Sequence, residues 1–149
     1  MSSVSTVGDS ALLVVAANSQ VVAFRRLDGA VAWRHTVPFS VLGMAAKQLG
    51  TMELALHAGR VYVAASDRLL CLDYATGVLV GEVALPGGAR RPSLLLEGDR
   101  LFVCTSDRLV CLTLGGEVAW QSPHGLTLIE CSPAMGVPGN VRQGDEIGR

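Results

Sequence analysis

The chain has 149 residues, half of them apolar, with only 17% charged, a net charge of -1 and a mean hydropathy of +0.41. That length suits one domain with its own core, and so apolar a composition implies elements buried on both faces or a surface covered by a partner. The near-neutral balance gives no electrostatic footprint for nucleic acid or for an anionic membrane.

Seventeen Gly, six Pro and short apolar runs favour a turn-rich, all-β chain over a helical one. Residues 1–20 lack the basic start of a secretory signal, and no run approaches the ~20 apolar residues of a membrane-spanning helix. The location expected on these grounds is cytoplasmic. Cys71 and Cys111 fall at one repeat position, where the first repeat has Ala23, so with Cys104 and Cys131 they read as reduced core filler rather than as two disulfides.

The chain repeats itself. Arg60–Leu72 recurs as Arg100–Leu112, 40 residues on, with Ser-Asp-Arg-Leu and Cys-Leu identical in both. A weaker copy, Leu13–Phe24, lies 48 residues before its counterpart, so eight extra residues fall between the first two copies. They belong in an inserted loop over residues 39–52, long enough for one or two helical turns.

Each copy continues into a glycine corner, at Leu27-Asp28-Gly29, Tyr74-Ala75-Thr76-Gly77 and Leu114-Gly115-Gly116. Glycine supplies the positive φ that such a corner needs. A further run follows and closes at Pro38, Pro86 or Pro123, since proline cannot donate to a ladder. A leading run precedes two copies, at Glu53–Gly59 and Ser93–Gly98, whereas Ser3–Gly8 is poorly apolar.

The unit is therefore four short strands in a meander. Its runs, such as Leu101–Cys104 and Leu109–Leu112, are almost continuously apolar. A half-exposed hairpin alternates, because successive side chains point to opposite faces. Strands apolar on both faces must be covered on both, and four-stranded units with a period near 40 point to a β-propeller.

The boundaries expected are a first blade over 1–38 with a partial first strand, a second over 53–86, a linker over 87–92 and a third over 93–123. Residues 124–135 offer an extra strand, placed at Leu126–Ile129, and residues 136–149 read as an extended tail that a partner would order.

These units resemble the pyrroloquinoline-quinone-like β-propeller repeat, in which an apolar strand ends in Leu-Asp, Thr-Gly follows two residues later, and the next strand carries Trp. Leu72-Asp73-Tyr74-Ala75-Thr76-Gly77 fits that pattern, and Trp33 and Trp120 stand at the Trp position. The resemblance implies that Trp33 and Trp120, with Gly29, Gly77 and Gly116, dock neighbouring blades. The second unit has Gly81 where the Trp belongs, and the third has Thr113 in place of the Asp with a corner one residue shorter. The family's quinone enzymes carry a vicinal Cys pair and a calcium-held cofactor. No two cysteines are adjacent here and no Asp/Glu/Asn cluster suits calcium, so no cofactor and no metal site are expected.

Propellers close with about 4–8 blades. Three blades leave two apolar faces open, which implies closure by association with a second copy or by docking onto another propeller or subunit.

Little else in the chain suggests chemistry. His35, His57 and His124 lack ligand spacing, and Glu130-Cys131 lies too far along the chain from His124 for a local thiol–base pair. Asp67-Arg68 and Asp107-Arg108 read as turn chemistry, with a charged partner-contact rim as the functional alternative. Arg25-Arg26 and Arg90-Arg91 have no interleaved aromatics to stack bases, and no Gly-rich loop has phosphate-cradling spacing. The expected function is a non-catalytic structural or interaction module that self-associates or docks through its blade faces. A ligand- or peptide-sensing propeller completed by dimerisation is the alternative, and a quinone-dependent oxidoreductase fragment ranks last.

Overall fold

The computed structural model of the chain describes residues 11–37, 52–65, 68–86, 92–126, 131–142 and 145–146. Among these residues every regular element is a strand. β1 (Leu12–Ala17), β2 (Gln20–Arg25) and β3 (Val31–Thr36) form one sheet in chain order. β4 (Met52–His57), β5 (Arg60–Ala65), β6 (Arg68–Asp73) and β7 (Leu79–Ala84) form the second. β8 (Ser93–Glu97), β9 (Arg100–Cys104), β10 (Arg108–Thr113) and β11 (Val118–Pro123) form the third. Within these three sheets every pairing is antiparallel between sequence neighbours, as tight turns dictate. The first sheet has no described strand in the place of β4 and β8.

Turn chemistry fixes the register. Asn18 and Ser19 (φ 52° and 60°) and Ala58 and Gly59 (φ 50° and 78°) make two-residue turns with positive φ at both positions, whose twist matches the strands they join. The glycine corners also share one geometry, with Gly29 at φ 77°, Gly77 at 76° and Gly116 at 92°. The ladder after each second apolar run carries an irregularity at one repeat position, between Ala23/Phe24, Cys71/Leu72 and Cys111/Leu112. A recurrent bulge of this kind bends each outer strand in the same sense.

Two cores lie between the three sheets. Val21, Ala23 and Trp33 meet Val61, Val63, Leu70 and Leu72 in the first, and Tyr62, Ala64 and Leu69 meet Leu101, Val103, Val110 and Leu112 in the second. The middle sheet is thus covered on both faces, which is why its runs are continuously apolar.

The C-terminal region differs from the sequence expectation. Residues 127–130, most of the strand expected at Leu126–Ile129, lie outside the described residues. The strands present are β12 (Cys131–Ser132), β13 (Met135–Val137), β14 (Asn140–Arg142) and β15 (Asp145–Glu146). β13 pairs with β14 about the Pro138-Gly139 turn, and β12 pairs with β15 in the same register. Residues 136–142 and 145–146, within the stretch expected as an extended tail, therefore belong to a hairpin. The hairpin is tied to β8, where the Asn140 side-chain amide donates to the Leu96 carbonyl (2.6 Å) and Ser93 Oγ donates to the Pro133 carbonyl (2.7 Å). Of the inserted loop expected over 39–52, Met52 opens β4 and the remainder lies outside the described residues.

Candidate interaction surface

Trp33 sits in β3, on the face toward the second sheet, and is 8% exposed. Its indole Nε1–H donates to the Tyr74 carbonyl (2.8 Å), and its ring lies on Gly77, where any Cβ would fall among the ring atoms. Tyr74 returns the contact, because its hydroxyl accepts from Leu12 N–H and donates to the Leu12 carbonyl (both 2.8 Å). One indole and one phenol therefore staple the first sheet to the second.

The second interface lacks that staple. Gly81 stands at the Trp position, and a Cβ added there meets nothing within 4 Å. Val83 takes part of the space, its Cγ2 lying 2.8 Å from where a Cβ of Gly116 would be. A cavity of about 50 Å³ remains beside Tyr62, Cys71, Val83 and Gly116.

Trp120 is 45% exposed on the outer face of the third sheet and is tilted against Phe102, with ring centroids 6.2 Å apart. No described glycine corner receives it. At the opposite end, a Cβ on Gly29 would meet nothing within 4 Å. The backbone there is nonetheless that of the occupied corner. Gly29 N–H donates to the Arg25 carbonyl as Gly77 N–H does to Asp73, and Arg26 N–H donates to Ala11 as Tyr74 N–H does to Gly59.

The outer face of the first sheet carries an apolar patch, bordered on the same face by the Arg34–Gln20 pair. Leu13 is 59% exposed and Val15 45%, with Val31 also exposed and Val22 and Phe24 partly so. Their counterparts Val61, Val63, Leu70 and Leu72 in the second sheet, and Leu101, Val103, Val110 and Leu112 in the third, are fully buried. The first sheet thus keeps the side chains of a covered face.

The polar candidates are engaged within the fold. Arg108 pairs with Asp107 (3.1 Å) and donates to Gln121 (2.7 Å), and Arg68 pairs with Glu82 (2.8 Å). Arg34 makes the same cross-strand link to Gln20 (2.7 Å), so this polar pair recurs in all three sheets. The Arg108 hydrogen bond holds the Asp107 carboxyl below the usual carboxylate range. Asp67 lies outside the described residues.

His124 Nδ1 accepts from Leu126 N–H (3.0 Å), so Nε2 carries the proton and donates to the Thr105 carbonyl (3.1 Å). The imidazole thereby pins the exit of β11. His35 Nε2 is buried and has no hydrogen-bond partner among the described residues. Cys71, Cys104 and Cys111 are free thiols, and burial pushes the pKa of Cys71 and Cys104 up, which opposes nucleophilic use. Among the described residues no group of three His, Cys, Asp or Glu converges on a metal-sized site, and no helix is long and apolar enough to cross a membrane.

Of the residues the sequence assigns to blade docking, Trp33 and Gly77 meet across an interface, whereas Trp120 is half exposed and Gly29 has nothing against it among the described residues. Sequence reasoning missed Tyr74, whose hydroxyl bridges two sheets, and the open set Leu13, Val15, Val22 and Phe24. The signal for that set was present, because those residues align with the apolar positions of the other two units.

Comparison with known proteins bears on the fold. No curated protein matches the chain. Among solved structures, BamB from Moraxella catarrhalis superposes with a TM-score of 0.63 at 17% identity, covering 89% of this chain and 42% of that one. The WD40 domain of Neurospora crassa Pan2 gives 0.62 at 12% identity over 83% of this chain and 38% of that one. A europium-containing methanol dehydrogenase gives 0.57 at 16% identity over 75% and 22%. The chain thus spans less than half the length of each, and the likeness carries the propeller architecture, not a reaction. The profile of one family matches residues 17–136, four-fifths of the sequence, and on that match the chain belongs to the family of the outer membrane protein assembly factor BamB.

Proposed function

We propose that this chain is a non-catalytic interaction module that self-associates or docks into a larger assembly through the open faces of its blade stack. One observation carries the reading: repeat positions that are fully buried in the second and third blades hold Leu13, Val15, Val22 and Phe24 in the first, where they stay apolar and open. Isolated exposed apolar residues are ordinary, but a contiguous sheet face of them marks an interaction site. The family's description as an assembly factor supports the same reading. The Asp107-Arg108 turn, with Arg68 and Asp67 at the matching position, is proposed as a lateral contact to the same partner. The cytoplasmic location also stands as a proposal, which fractionation of the native host tests.

Size-exclusion chromatography with light scattering tests the self-associating form. The wild-type chain is expected to elute above monomer mass at micromolar concentration, and Leu13→Glu with Val15→Glu to elute as a monomer of unchanged circular dichroism. A wild-type monomer under those conditions overturns self-association.

A further inference from the structure

The C-terminal hairpin is half of a fourth blade. Ala55 pairs with Tyr62 in the second sheet, Leu95 with Phe102 in the third, and Met135 with Arg142 in the hairpin, each pair 40 residues beyond the last. β13 and β14 therefore stand where β4 and β5, and β8 and β9, stand in their own sheets. In those sheets the far edge of the second strand is taken by β6 or β10. The far edge of β14 pairs with no described strand.

Behind that edge is a cavity of about 250 Å³, walled by Leu95, Phe102, Leu109 and Trp120 on one side and by β13 on the other. The two complete interfaces show what fills this place. Val21 and Trp33 are covered by Leu70 and Leu72 of β6, and Tyr62 and Leu69 by Val110 and Leu112 of β10. Val21, Leu69 and Leu109 share one repeat position, and so do Trp33 and Trp120. Each filling strand presents two branched aliphatic side chains two residues apart, and a glycine corner follows it.

We infer that β14 and this cavity form a receptor for a β-hairpin from outside the described residues. Its first strand runs antiparallel to β14 with branched aliphatic residues at i and i+2, and its glycine corner seats Trp120. A folded second copy does not fit, because the edge each of its own hairpins would offer is already paired, β2 by β1, β6 by β5 and β10 by β9. The inference rests on the interaction-module reading but not on the first blade's outer face.

The test titrates the full chain into a fluorescently labelled peptide of residues 68–84, which carries Leu70, Leu72 and the Gly77 corner. Saturable binding is expected, with a blue shift of tryptophan emission that Trp120→Phe abolishes while the label still reports binding. Leu109→Glu in the chain, or Leu70→Asp with Leu72→Asp in the peptide, is expected to weaken binding by about tenfold or more. Trp120→Ala is the second chain variant should Leu109→Glu fail to fold. Absence of binding at about 100 μM chain, a concentration far above a useful affinity, or equal binding of the Asp-substituted peptide, overturns the inference. Binding that persists in Leu13→Glu with Val15→Glu separates it from self-association through the first blade.

Discussion

Gly77 and Gly29 form a matched pair for measuring the Trp33 seat. Both are at nearly the same φ, 76° and 77°, in corners with the same backbone hydrogen bonds. Alanine at either position is forced into the left-handed region, at about 1–2 kcal/mol. At Gly29 nothing else changes, because a Cβ there has open space. At Gly77 the Cβ enters the Trp33 ring, so the indole must lift. Lifting forfeits the Nε1–carbonyl bond, about 1 kcal/mol net. It also re-exposes part of a side chain whose full burial covers about 150–250 Å²; losing half of that at ~25 cal/mol per Å² costs about 2–3 kcal/mol.

Gly77→Ala is thus expected to cost about 4–6 kcal/mol against about 1–2 for Gly29→Ala. Urea unfolding of each variant, read at constant m, measures both. In a Trp33→Ala background the cost at Gly77 should fall to that at Gly29, because the coupling partner is gone. Equal costs at the two glycines in the wild-type background, or no coupling to Trp33, would refute the seat.

Three other outcomes follow from the same geometry. Trp33→Ala is expected to cost about 3–5 kcal/mol, whereas Trp120→Ala, half exposed with Phe102 as its ring contact, costs about 1; chemical denaturation separates them. Gly81→Trp combined with Val83→Ala should install the missing staple on the Leu114 side of the second interface and raise stability by about 1–2 kcal/mol, with a matching rise in the urea midpoint. Burial raises the folded-state pKa of Cys71 and Cys104 above the unfolded value, so their contribution is complete below the ordinary thiol value of about 8.5 and is lost as pH rises through the folded value. Stability measured across that alkaline range is expected to fall, and replacing both cysteines by alanine to flatten the fall.

The repeat made the blades legible. Ser-Asp-Arg-Leu and the glycine corners recur where β5–β6 and β9–β10 turn and where the ladders bend, and Trp33 could be assigned to an interface before its hydrogen bond was visible. The fourth half-blade was not legible by the same means. Met135, Val137 and Val141 are its only clear apolar residues, since its stability comes from the backbone ladder, the Pro138-Gly139 turn and the Asn140 amide on Leu96. Apolar runs therefore point to Leu126–Ile129, whereas the 40-residue spacing that links Gly59 to Asp99 continues to Gly139 and marks the turn. The open positions were equally hard to read because they are vacancies rather than residues: a corner at Gly29 with nothing against it, no indole at Gly81, and an edge of β14 with no described strand beside it. Composition records which residues are present, and only the three-dimensional repeat shows which partners are lacking.

Every main ladder joins strands adjacent in the sequence, and among the described residues the main contacts between sheets are between neighbours in the stack. Such a molecule behaves as a short one-dimensional array, in which stability is close to a sum of blade terms and nearest-neighbour interface terms. Opening should then begin at the ends and at the weakest junction. The C-terminal hairpin, tied to β8 through the side chains of Ser93 and Asn140, is expected to exchange its amide hydrogens first. The interface left unstapled by Gly81 would part before the one closed by Trp33 and Tyr74, so the first two blades should persist as the last protected unit. A tight partner at the β14 edge would reverse that order, lending protection to the very end of the array that frays first.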